Sequence, residues 1–168
     1  MALEEVTPGQ VSDGYGLVLF VPTIANPAAP TVTELSAGTV KKLTYSITGD
    51  GYNHTVTVNA VTANRLTLKQ AIQYDGTVTD DLEITYVYTN TDADVVRLAL
   101  PEGTEGFIVE RWAVGNEVAV AADQIVDVIP IKASLSRKNA PATNSELTRT
   151  QKLNVTGAVQ RDVVVVAP

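Results

Sequence analysis

Cysteine is absent from the 168 residues, and histidine occurs once, as His54. The first absence excludes a disulfide framework, a thiolate metal site and a thiol nucleophile. The second excludes a multi-histidine metal centre on one chain. No apolar run approaches the roughly 20 residues needed to cross a bilayer, which predicts a soluble chain with no membrane insertion. The opening MALEEVTPGQ has no basic region followed by an apolar run, and no glycine follows Met1. It is therefore read as neither a secretory signal nor a myristoylation site. Without such a signal, the triplets Asn53-His54-Thr55 and Asn154-Val155-Thr156 are chance matches to glycosylation sites.

Only two phenylalanines and one tryptophan occur, while valine and threonine dominate. β-Branched side chains lose rotamer freedom in helices and pack well on a pleated surface, so this is a sheet composition. The formal net charge of -7 is unevenly spread. Asp75, Asp80, Asp81, Glu83, Asp92 and Asp94 follow one another with no Lys or Arg between them. Lys132, Arg137, Lys138, Arg149, Lys152 and Arg161 are opposed only by Glu146. Two readings stand side by side. One is a solvated surface with chance clustering. The other is a contact in which the acidic patch of one copy meets the basic segment of the next. An acidic chain argues against tight DNA wrapping but suits a passage whose wall repels nucleic acid.

Residues 1–16 are polar and broken by Pro8, Gly9, Gly14 and Gly16, which predicts an N-terminal arm ordered only against a neighbour. Residues 17–168 then form one β domain. Leu17 to Ile24 reads as a strand whose end Pro22 places at an edge or bulge. Thr31 and Glu34 stand in capping-box spacing for one helical turn, although a short strand fits almost as well. Thr39–Ile47 and Tyr52–Val61 flank Gly49-Asp50-Gly51 and read as a hairpin, with Val40, Leu43, Tyr45 and Ile47 toward a core. Arg65–Tyr74 favours a strand closed by the turn pair Asp75-Gly76. Leu82 to Thr89 has the clearest two-residue period, with Leu82, Ile84, Tyr86 and Tyr88 on one face. Asp92 to Leu100 is the best helix candidate, capped from Asn90, Thr91 and Asp92. Strands follow at Gly106–Val114, Ile125–Ile131 and Val159–Ala167. Between them, residues 134–152 read as a long polar assembly loop.

Nothing in this pattern builds an enzyme. Asp80 and Asp81 are neighbours on a strand and point to opposite faces, so they make no carboxylate pincer. The serines lack a nucleophile elbow, and His54 in a threonine-rich strand reads as an ordinary surface residue. No glycine pattern cradles a phosphate, and Asp92 and Asp94 lack the glycine and glutamate of a calcium loop. No cofactor or metal is expected.

The order of segments adds more. Asn26-Pro27-Ala28-Ala29-Pro30-Thr31-Val32-Thr33-Glu34-Leu35 with Ala37-Gly38 comes first, then Gly103-Thr104-Glu105-Gly106-Phe107-Ile108-Val109-Glu110-Arg111-Trp112. Val126-Asp127-Val128-Ile129-Pro130-Ile131 follows, and Gln151-Lys152-Leu153-Asn154-Val155-Thr156-Gly157 with Val163 to Ala167 closes the chain. In this order and spacing the chain resembles, over roughly residues 20–168, the major tail proteins of long, non-contractile-tailed phages infecting actinobacteria.

The resemblance implies a tail-tube β-sandwich or barrel with one short flanking helix and extended arms, built into hexameric rings. Stacked rings form a tube with a negative lumen that conducts DNA from head to host. The implied setting is the virion tail, assembled in the host cytoplasm, with tape-measure, tail-terminator and tail-tip proteins as partners. The acid run and strand alternation then make Asp80, Asp81 and Glu83, with neutral Thr85, the lumen candidates. Arg137, Lys138, Arg149 and Lys152 are the inter-subunit or inter-ring candidates. The rival readings are a free-standing Ig-like adhesion or carbohydrate-binding module, with an exposed aromatic patch around Trp112 or Tyr52, and a capsid-decoration or tail-terminator protein.

Overall fold

The valine- and threonine-rich segments become strands in a computed structural model that describes residues 4–168. Residues 1–3, the start of the expected arm, lie outside the described residues. The strands are β1 (Gly16–Val21), β2 (Lys41–Lys42), β3 (Ile47–Ala63), β4 (Ile72–Val87), β5 (Glu105–Trp112), β6 (Ile125–Lys138), β7 (Thr148–Val155) and β8 (Gln160–Val164). Two short helices, α1 (Val32–Leu35) and α2 (Val95–Ala99), complete a predominantly β fold. Residues 4–15 are without strand or helix and almost wholly exposed.

The chain divides into two units, and β6 passes from one into the other after Pro130. The first contains residues 1–45, 105–130 and 158–168. Here β1 lies antiparallel between β2 and β5, and β8 pairs with the first half of β6. Alternate residues Leu17, Leu19 and Val21 of β1 meet Val109, Val126, Val128 and Val165 in the core, joined by Ile24 and Leu35. The expected capping box closes α1: the Glu34 N–H donates to Thr31 Oγ1, while Glu34 Oε2 accepts from the Thr31 N–H at 2.9 Å. Glu34 Oε1 also accepts from the Ala25 N–H, and these backbone donors, Ala25 first, hold its carboxyl below the usual range. The valine run at the C-terminus does not lie bare. Val165 exchanges backbone hydrogen bonds with Asp123 and Gln124, and Val166 bridges Thr31 in parallel.

The second unit, residues 46–104 and 131–157, is a sheet ordered β6-β7-β4-β3. Leu82, Ile84 and Tyr86 of β4 are buried as the two-residue period predicts, and Leu82 stands opposite Leu153 of β7. Gln151, 1% exposed, fills a polar slot beneath this sheet. Its Nε2 donates to the carbonyls of Leu100 (2.9 Å) and Ser134 (2.7 Å), which ties the chain after α2 to β6.

Four local expectations fail, each for a physical reason. Gly49-Asp50-Gly51 is not a turn: β3 runs through it, and the register slips between Ile47 and Tyr52. A side chain at Gly51 would strike the Thr85 carbonyl oxygen, so the glycine serves close strand approach rather than reversal. Tyr45 leaves the core through a 3-10 turn at Thr44–Ser46 and is 76% exposed, its hydroxyl donating to Glu117 at 2.8 Å. Asp75-Gly76 also lies inside a strand, opposite the β3 irregularity around Asn59; the true reversal is residues 64–71, so most of the strand expected over Arg65–Tyr74 is loop. Finally, the polar stretch 134–152 is mostly strand. β6 extends to Lys138, β7 starts at Thr148, and only residues 139–147 are loop. Polar side chains on one face of a sheet concealed both strands, because one-sided burial leaves few apolar residues to read.

Candidate assembly surfaces

Strand alternation divides the acidic candidates. Asp81, Glu83 and Thr85 occupy the face of β4 opposite the buried Leu82, Ile84 and Tyr86. Across the ladder they face Thr55 and Asn53 on β3, and Glu83 and Thr85 face Lys152 and Thr150 on β7. Thr85 Oγ1 lies 2.9 Å from Thr150 Oγ1, and Asn139 bonds Thr148 and Thr150 in turn. Thr55, Thr57, Thr79 and Asn154 extend the same polar depression. This is a hydroxyl-rich sheet face with a few charges set into it.

Asp80 lies on the opposite face. Its Oδ1 is 3.0 Å from His54 Nε2, and the two side chains are 9% and 11% exposed. His54 is thus no isolated surface residue. The cross-strand pair continues the buried face toward the distal hairpin.

The basic candidates also separate. Lys152 is bound within its own chain, its Nζ 2.8 Å from Asp81 Oδ1. That hydrogen bond and charge, helped by Glu83, raise its pKa. Arg149 stands over the Tyr88 ring at 4.7 Å, and Lys138 over the same ring at 5.6 Å. A guanidinium over an aromatic face is attracted electrostatically without a carboxylate. Arg149 also donates to Asn90 Oδ1 at 3.2 Å and reaches Ser136 Oγ. Arg137 pairs in register with Thr150. Among the described residues, none of Arg137, Lys138 and Arg149 forms an ion pair with a carboxylate. Tyr88 was legible as the last residue of a strand period, but its role under two cations depended on β4, β6 and β7 converging.

Two buried charges organise loops. The Asp94 carboxylate accepts from the Thr89 N–H (2.6 Å), the Thr89 hydroxyl (2.8 Å), the Asn90 N–H (2.7 Å) and Arg97 Nε (2.9 Å). Burial is the largest single influence and raises its pKa, but the donors together outweigh it and hold the carboxyl down to about 2. The sequence placed helix-capping chemistry at residues 90–92. In the structure Asp94 stands at the N-cap position but makes no side-chain cap hydrogen bond to α2, its carboxylate closing the preceding turn instead. Arg111, 1% exposed, donates to the carbonyls of Gly115, Val118 and Ala119 and to Gln124 Oε1. Burial lowers its pKa. A strand arginine thereby becomes the hub of the 113–124 loop.

No group of three or more His, Asp or Glu that would hold a metal ion occurs among the described residues, and no helix among them is long and apolar enough to cross a membrane. Trp112, half-exposed, covers Gly16, whose missing side chain makes room for the indole.

A family profile described as phage tail tube protein matches residues 5–168. No curated protein matches the sequence. Among solved structures, the fold is similar to a chain in the six-fold symmetrised cryo-EM structure of the anti-feeding prophage baseplate. The TM-score is 0.55 at 12% identity, with 91% of this chain and 95% of that one covered.

Proposed function

Since the chain belongs to the phage tail tube protein family, we propose that its copies close into rings and stack as the tube of a phage tail. The family is structural, not catalytic. The match across residues 5–168 carries this reading. Six copies make each ring, the symmetry imposed on the similar baseplate assembly. The ordered segments from Asn26 to the closing valines support the major tail protein of a long, non-contractile tail of an actinobacterial phage. Such a tube is assembled in the host cytoplasm beside tape-measure, terminator and tip proteins, and DNA passes through it.

In this reading the hydroxyl-rich face of β3, β4 and β7 lines the bore. Asp81 and Glu83 repel phosphate there, and Thr85 and its threonine neighbours give a neutral wall to which DNA does not adhere. Lys152 moderates the field by pairing with Asp81. The Asp80 carboxylate adds little to that wall, because it is held by His54. Arg137, Lys138 and Arg149 meet carboxylates of a neighbouring copy. Exposed ion pairs contribute only about 0–1 kcal/mol each, so they set register and apolar contacts supply cohesion.

Light scattering after size exclusion, with negative-stain microscopy of the same fractions, tests the proposal. Rings and extended tubes are expected as concentration rises. A monodisperse monomer at every concentration would contradict it, and closed rings that never stack would favour a terminator or decoration role.

A further inference from the structure

On β6 and β7 two cations stand directly opposite each other, Lys138 against Arg149. Like charges in that position destabilise a sheet unless something offsets them. Arg149 is also opposite Tyr86 of β4, so the strand end just beyond brings Tyr88 to both cations. The guanidinium lies 4.7 Å and the Lys138 ammonium 5.6 Å from the centre of that one ring. The ring attracts each charge, but by gathering them it leaves their mutual repulsion in place.

Among the described residues neither cation has a carboxylate partner, although the net charge of the chain is -7. What reaches Arg149 from the turn after β4 is the neutral amide of Asn90, whose Oδ1 accepts from Nη2 at 3.2 Å. The Asp94 carboxylate, bound to the N–H of the same Asn90, is engaged by Thr89 and Arg97 as well. Arg149 makes one further contact, from Nη1 to Ser136 Oγ at 3.5 Å, and its buried Nε has no hydrogen-bond partner. Most donors of the guanidinium are thus unused. Lys138 is exposed beside it. Arg137 takes no part: it stands opposite Thr150, on the face turned away from this pair.

We propose that Arg149 and Lys138, set on the Tyr88 ring, form a binding site for one oxyanion of the phosphate type. A doubly charged tetrahedral anion fits on three counts. Its charge cancels the two that the sheet holds opposite each other. Its oxygens accept from a guanidinium and an ammonium together, and charge-assisted bonds of this kind are the strong ones. The site is complete within one chain, from Tyr88, Asn90, Ser136, Lys138 and Arg149, so binding does not wait for a neighbour. In the tube a carboxylate of the neighbouring copy takes the same place, and that part rests on the tube reading. Free phosphate therefore competes with assembly.

NMR shifts of unassembled protein are followed during titration with sodium phosphate, at a mildly alkaline pH that keeps it doubly charged. Sodium chloride at matched ionic strength is the control. Saturable shifts centred on Tyr88, Asn90 and Arg149 are expected with phosphate and not with chloride. Lys138→Gln and Arg149→Lys should each weaken binding about tenfold, while Arg137→Gln should leave it unchanged. Lys138→Gln alters an exposed side chain, and an unchanged circular dichroism melting transition shows that its effect is read on folded protein. No saturable shift in the wild type, or an equal loss in Arg137→Gln, would overturn the inference and leave the tube reading standing. Sedimentation separates the two sources of the anion. Phosphate should raise the concentration needed for wild-type polymerisation more than chloride does. Phosphate bound without that effect would overturn the carboxylate's place in the site and keep the free ion's. A wild-type chain that never polymerises would remove the tube reading and not the site.

Discussion

Asp94 and Arg111 are buried charges that order the backbone around them. For Asp94 the folded-state pKa of about 2 lies below the roughly 3.9 of an unfolded aspartate. A depressed carboxyl contributes stability that is complete above about pH 4 and is lost as pH falls through about 2. Denaturation midpoints should therefore fall with pH across that window. Asp94→Asn should flatten that slope and lower Tm at neutral pH by roughly 5 °C, because the charge-assisted bonds from Thr89, Asn90 and Arg97 are weakened. An unchanged acid limb would assign the pH response to other carboxylates. Arg111 makes the opposite kind of hub, a cation gathering four acceptors. Arg111→Ala should cost about 3 kcal/mol in urea denaturation, and hydrogen exchange should accelerate across residues 113–124. Neither role was readable from sequence. Asp94 stood in an acidic run, and Arg111 interrupted a strand pattern. Their partners, a turn of adjacent residues and a returning loop, exist only once the backbone is placed.

At the scale of elements, legibility followed burial. β1, the second half of β4 and the first half of β6 were clear because apolar residues recur at strand spacing and become core. α1 was legible from two residues, Thr31 and Glu34, because a capping box is local chemistry. Misreadings concentrated in β3 and β4, where glycine-containing segments imitate turns. Gly51 shows why: its lack of a side chain lets β3 approach Thr85, which no local pattern reveals. Gly51→Ala should destabilise the sheet by about 2 kcal/mol, read as a lower denaturation midpoint with unchanged slope. A neutral effect would mean that the irregularity between Ile47 and Tyr52 yields to accommodate a methyl group.

For the molecule as a whole, the resemblance pointed to a tube subunit, the acidic composition was compatible with one, and family membership agrees. Composition alone did not say which carboxylates share a surface. Strand alternation selects Asp81 and Glu83, and the His54 contact withdraws Asp80. In the proposed tube, the polar face of β3, β4 and β7 is the one that stays wet and non-adhesive.

A cryo-EM map of tubes assembled from the purified protein tests the proposed bore most directly. Six-membered rings are predicted, with Asp81, Glu83 and Thr85 on the inner wall. A map that placed Asp81 and Glu83 on the outside of the tube would contradict it.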